Sequence, residues 1–172
     1  PPGNNPVYTW PSLIIARLAM PKTILTYGTF DLFHIGHLRL LERLRALGDR
    51  LVVGVSTDEF NALKGKKTVV PFADRLEIIR GLRCVDLAIA ENSWEQKAED
   101  IARHQVAILG MGHDWQGKFD DLSALCEVVY LPRTEGISST DIRNSLKVLA
   151  PEHINELKQA LDMMSSIVAR FD

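Results

Sequence analysis

Gly28-Thr29-Phe30-Asp31-Leu32-Phe33-His34-Ile35-Gly36-His37 decides the fold, because it joins the apolar run Thr23 to Tyr27 to the amphipathic run Leu38 to Leu47. Read physically, a strand delivers a glycine turn to the start of a helix. Such a junction binds anions: the first amides of a helix have no internal partner, and the helix dipole is positive there. His34 and His37 are three apart, so both lie on one face of that first turn and can point at whatever the amides hold. Gly36 between them keeps a side chain out of the way, and Asp31 is placed to cap the turn.

Working outward, Leu38, Leu41, Leu44 and Leu47 form one stripe, with Gly48 expected as a left-handed stop. Leu51 to Val55 is a continuous, mostly β-branched run, as expected of a parallel strand covered on both faces. Ala62 to Val70 carries Lys64, Gly65, Lys66 and Lys67 without a period and reads as a mobile loop. Pro71 opens a helix through Leu76, Ile79 and Leu82. Val85 to Ala90 is a third strand, and Ser93 with Gln96 makes a capping box for a helix running to about His104. Val106 to Gly110 and Val128 to Leu131 are strands four and five, separated by the loop MGHDWQGKF and a short helix, Asp120 to Cys126. Ser138 and Asp141 form a second capping box, opening a helix through Ile142, Leu146 and Leu149.

Strands alternating with helices predict an α/β domain, a doubly wound five-stranded parallel sheet with right-handed crossovers. An extra C-terminal helix follows at 150–172, where Ile154, Leu157, Leu161, Met164 and Val168 step by three and four. It packs either on its own domain or against a second copy. The domain itself is expected over 22–149. Residues 1–21 are read as upstream or expression-derived sequence, or else as a short apolar arm.

At 172 residues, 46% hydrophobic and 24% charged, the chain suits one soluble domain. A formal charge of −2 leaves no footprint for nucleic acid. Leu13 to Met20, interrupted by Arg17, falls far short of the ~20 apolar residues needed to span a bilayer and has no basic segment before it as a signal peptide would. Cys84 and Cys126 belong to no paired pattern, so reduced cysteines in a cytoplasm are expected. Two histidines at HxxH spacing also raise zinc, but His104, His113 and His153 supply no third ligand in a recognisable pattern.

The stretch GTFDLFHIGH resembles the signature of the cytidylyltransferases, within the HxGH nucleotidyltransferases. MGHDWQGKFDDL at Met111 to Leu122 and RTEGISST at Arg133 to Thr140 are similar to motifs of the glycerol-3-phosphate cytidylyltransferases, and the match runs from about Lys22 to about Leu146. The resemblance implies transfer of the cytidylyl group of CTP to glycerol 3-phosphate, giving CDP-glycerol for a surface polymer, with Mg²⁺ on the CTP phosphates and a homodimeric enzyme. His34, His37, Lys66 and Arg133 would be catalytic. Gly28, Thr29, Phe30, Asp31, Ile35, Gly36, Asp114, Thr134, Gly136, Ile137, Ser138, Ser139 and Thr140 would hold the nucleotide. Lys64 and Lys97, joined by Arg75 and Arg83, would hold the phosphate of the acceptor. His113 stands where the family usually has Asp, and Ser139 where it has Thr. Other phosphorylated alcohols, such as phosphocholine or phosphoethanolamine, and a silent nucleotide-binding module are the competing readings.

Overall fold

The computed structural model describes residues 21–147 and 151–168. The expectation for residues 1–20, and that for Leu149, lie outside them. Five strands, β1 (Thr23–Gly28), β2 (Arg50–Ser56), β3 (Leu87–Glu91), β4 (Val106–Gly112) and β5 (Glu127–Leu131), form one sheet in the order β3-β2-β1-β4-β5. Every pairing is parallel.

The continuous apolar runs follow from that topology. Neighbouring residues of a strand point to opposite faces, and here both faces are covered. Ile24, Leu51, Val53 and Val55 enter one core with Leu41 and Leu44 of α1 (Ile35–Arg45) and Ile79 of α3 (Phe72–Arg80). Leu25, Val52 and Leu109 enter the other with Ile101 of α4 (Gln96–Arg103) and Phe119. Each fully buried leucine or isoleucine contributes about 1.5–3 kcal/mol.

Three local expectations change. Gly48 does not take a left-handed conformation; it is required because a Cβ there would lie 2.4 Å from the Lys22 carbonyl oxygen. The first two residues of the expected loop, Ala62 to Val70, belong to helix α2 (Asp58–Leu63), whose N-cap Thr57 accepts from the Phe60 amide. The far end of the loop is also held: Thr68 donates to Asp58, and the Val69 and Val70 amides donate to Asp31. Helix α4 starts at Gln96 instead of after Ser93, although the Ser93 hydroxyl still accepts from the Gln96 amide.

Helix α5 (Ser139–Lys147) opens on Ser138, whose hydroxyl accepts from the Asp141 amide and donates to its carboxylate. Helix α6 (Pro151–Val168) is the C-terminal extension. Its residues 154–164 are exposed. Among the described residues no helix is long and apolar enough to cross a membrane.

Candidate active site

In this strand order the chain leaves β1 on one side for β2 and returns on the other as β4, so β1 ends at the switch point where parallel sheets place their ligands. The turn after Gly28 is strained: Phe30 (φ 52°) and Leu32 (φ 47°) are both left-handed without being glycine. Each such residue costs on the order of 1–3 kcal/mol and persists only where its surroundings over-determine it. Here they do. Thr29 gives its carbonyl to Arg75 at 2.6 Å and its hydroxyl proton to Asn61 at 2.9 Å.

Asp31, 4% exposed, accepts from the Val69 and Val70 amides at 3.0 and 2.9 Å and from Arg143 at 2.8 Å. Burial opposes ionisation of its carboxyl, but the two amides and the guanidinium outweigh burial and hold it below the ordinary range. Asp31 therefore does not cap the helix as the sequence suggested; it ties the turn to the 64–70 segment and to α5.

The cap is His34. Its backbone is extended, and its Nδ1 accepts the Gly36 amide at 3.0 Å. In return, His37 Nδ1 accepts the His34 amide through a long 3.4 Å contact, so the histidines build a capping box between themselves. With each Nδ1 an acceptor, the neutral rings carry their proton on Nε2, and these are the donors left for a ligand. The rings stack 4.0 Å apart, and His37 is flanked by Phe30 and Phe33. Burial, reinforced by His34, lowers His37 to about 4; burial and the nearby Arg133 lower His34 as well. A Cβ on Gly36 would stand 2.8 Å from the His34 ring, so glycine is required for the cap.

A cavity of about 560 Å³ opens over this helix start. It gathers most of the expected site: Gly28, Thr29, Phe30, Asp31, His34, Gly36 and His37 from the turn, Lys64 and Lys66, Lys97, Asp114, and Arg133, Thr134, Ile137, Ser138, Ser139 and Thr140. The α5 segment is docked on the turn, with the Ser139 hydroxyl donating to the Asp31 carbonyl at 3.0 Å. Arg43 steadies the approach to Arg133 by donating to the Pro132 carbonyl at 2.8 Å. His113 and Asp114 sit exposed at the rim on the 3-10 turn His113–Trp115.

Four expected positions fall outside the cavity lining. Ile35 is exposed on the outer side of the first turn, and Gly136 serves its own loop with φ +86°. Arg83 is exposed just before β3, at the amino ends of the strands and across the sheet from the site. Arg75 is fully buried, and every arm is occupied: Nε by the Val70 carbonyl, one terminal nitrogen by the Thr29 and Ser56 carbonyls, the other by Asp58. It is a strut of the strained turn: four of its five N–H donors are engaged, and it does not line the cavity.

Sequence reasoning also passed over residues that the cavity uses. Arg143 lines it while pairing with Asp31, and Glu91, Ser56 and Trp94 line its floor. Only Glu91 left a trace, as the acidic end of the run Leu87-Ala-Ile-Ala-Glu91.

Residues 25–145 match the family model described as cytidylyltransferase-like. The chain is 54% identical over 125 residues to the glycerol-3-phosphate cytidylyltransferase of Bacillus subtilis (strain 168), covering 73% of this chain and 97% of that protein. The chain belongs to the glycerol-3-phosphate cytidylyltransferase family. The Staphylococcus aureus glycerol-3-phosphate cytidylyltransferase is 50% identical, over 73% of this chain and 95% of its own length. Among solved structures, the lipopolysaccharide core biosynthesis protein from Thermoplasma volcanium GSS1 superposes with TM-score 0.58 at 25% identity, covering 67% of this chain and 99% of that one. As a member of the glycerol-3-phosphate cytidylyltransferase family the protein is a nucleotidyltransferase, and the matched span contains the histidine cap, the 64–67 lysines, the 111–115 loop and the α5 start.

Proposed function

We propose that the protein transfers the cytidylyl group of CTP to glycerol 3-phosphate, yielding CDP-glycerol and pyrophosphate. The observation that carries this reading is that one cavity is lined both by a helix start with two Nε2–H donors and by two lysines from other elements. The triphosphate lies across the starts of α1 and α5, where the positive helix ends, the histidines and Arg133 meet its charge. A phosphate oxygen of glycerol 3-phosphate attacks the α-phosphorus in line; the new P–O bond forms as the bond to the β-phosphate oxygen breaks, and pyrophosphate leaves with that electron pair. No covalent enzyme intermediate is needed. His34 and His37 donate to oxygens that gain charge in the transition state, and the closed floor keeps the two phosphorylated substrates aligned.

Lys64 and Lys97 take the acceptor phosphate, and Lys66 on the exposed side of the loop takes the nucleotide phosphates. Both acceptor lysines already sit on aromatic rings: Lys97 Nζ lies 4.4 Å from the Tyr27 ring centre and 4.8 Å from Trp94, and Lys64 Nζ lies 4.1 Å from Phe60. A choline or ethanolamine head would compete with these ammonium groups for the rings, so an uncharged polyol phosphate is favoured.

Among the described residues no three His, Cys, Asp or Glu side chains converge to hold a metal. Asp31 and Glu91, the buried carboxylates of the cavity, are engaged with amides and cations. Mg²⁺ would enter with the triphosphate and would supply charge neutralisation there. The reading also includes a cytoplasmic location, where CTP is made, and a homodimer to which α6 contributes its exposed Ile154, Leu157, Leu161 and Met164.

The test is pyrophosphate release with Mg²⁺, running CTP and ATP against glycerol 3-phosphate, ribitol 5-phosphate, phosphocholine and phosphoethanolamine. Release that requires CTP and glycerol 3-phosphate together is expected. Release with a cationic acceptor instead would overturn the acceptor assignment. CTP binding without release from any pair would favour a silent nucleotide-binding module.

A further inference from the structure

Ser56 ends β2 and Glu91 ends β3, and the two are register partners, so parallel pairing sets both side chains together at the carboxyl edge of the sheet. Both are buried, at 0% and 2% exposure, on the floor of the cavity. The Ser56 hydroxyl donates to Glu91 Oε2 at 2.5 Å and accepts from Lys64 Nζ at 2.9 Å, while Lys64 Nζ itself lies 3.6 Å from Oε2. Lys97 Nζ donates to the other oxygen, Oε1, at 2.5 Å. One carboxylate thus holds two lysines from two elements, one on each oxygen.

We propose that Glu91 is the positioning residue of the acceptor-phosphate subsite, its two carboxylate oxygens fixing the spacing at which Lys64 and Lys97 receive the phosphate. The proposal rests on the reading that these lysines bind that phosphate. Two ammonium groups against one carboxylate leave a net positive charge, which a phosphate completes. The pair is unequal. Lys97 is 2% exposed and held at the shorter distance, whereas Lys64 is the C-cap of α2, reaches Glu91 only at 3.6 Å, and precedes Gly65, which has open space around it. Lys64 is therefore the arm that turns to the phosphate, and Lys97 the fixed point.

Glu91 also supplies the counter-charge. Burial lowers the Lys64 ammonium's pKa; Glu91 raises it, and Lys66 and Lys97 lower it further. Tyr27, which also lines the cavity, donates its hydroxyl proton to Asp100 at 2.8 Å. Without the Glu91 charge, the Lys64 ammonium is pushed further down.

The experiment is steady-state pyrophosphate release by the full chain carrying Glu91→Gln, Glu91→Asp or Ser56→Ala, with Lys64→Met and Lys97→Met as references. Glu91→Gln is expected to raise the KM for glycerol 3-phosphate about 10- to 100-fold, the worth of a hydrogen bond to a charged group, with the KM for CTP within about twofold. That penalty shrinks as pH is lowered, because Lys64 regains its proton. Glu91→Asp keeps the charge and loses the spacing, so it retains a raised acceptor KM without the added pH dependence. If Glu91→Gln does not fold, Ser56→Ala reads the same network and should raise the acceptor KM about 3- to 10-fold. Equal changes in both KM values, or none, would overturn the proposal while the lysine variants alone raised the acceptor KM. If neither lysine variant moved the acceptor KM, the subsite reading itself would fall, and the proposal with it.

Discussion

Of the two nitrogens on the His34 ring, Nδ1 is engaged with the Gly36 amide, which leaves Nε2 to meet a phosphate. Substitution can separate these roles. His34→Asn keeps an oxygen where the cap needs an acceptor, so stability should stay within a few tenths of a kcal/mol of wild type. The missing Nε2 donor should lower kcat on the order of 10²- to 10³-fold. His34→Ala should lose the same activity and a further ~1 kcal/mol of stability, read from chemical denaturation. Acid provides a second test at this scale. His37 is lowered from 6.5 to about 4, so between those values the unfolded chain binds a proton that the native chain refuses. Stability from this group is complete above about pH 6.5 and is lost as pH falls toward 4, and the lowered Asp31 acts in the same direction at lower pH. Melting temperature should fall across that window, and His37→Gln should flatten the slope; a wild-type melt equally stable at pH 7.5 and pH 4.5 would contradict this.

The elements divide by what their formation depends on. The strands were legible because burial on both faces turns each into a continuous apolar run, and α1 because its stripe is local. Helix α2 was missed because Asp58–Leu63 is under two turns and its lysine-rich exit shows no period. The role of Arg75 could not be read at all: a charged residue beside Leu76 becomes a strut only when carbonyls from β2, the first turn and the 64–70 segment converge on it. Asp31 failed as a cap for a related reason, since two left-handed residues around it turn its side chain toward a segment nearly forty positions away. Arg75→Met should accordingly lower stability in urea unfolding by about 1–3 kcal/mol for each carbonyl left without its donor, those of Thr29, Ser56 and Val70. A mere phosphate ligand would leave the unfolding midpoint unchanged.

Across the whole molecule, the sheet collects segments far apart in sequence at one edge, and the cavity they form lies within a single chain. The heptad-like spacing of α6 was visible in sequence, but whether it packed at home was not; residues 154–164 prove exposed. If α6 joins two copies, Leu161→Glu should lower the mass seen by sedimentation or light scattering toward one chain while activity per chain persists. An unchanged dimer would move the contact elsewhere, and a wild-type monomer would remove it. The floor of the cavity has a different consequence, for medicinal chemistry. Basic amines are the usual way to anchor a compound on clustered aromatic rings, yet Lys64 and Lys97 already occupy those rings. An inhibitor for this pocket should carry a phosphonate or another dianion at that end, and amine-rich screening libraries are the wrong place to look for it.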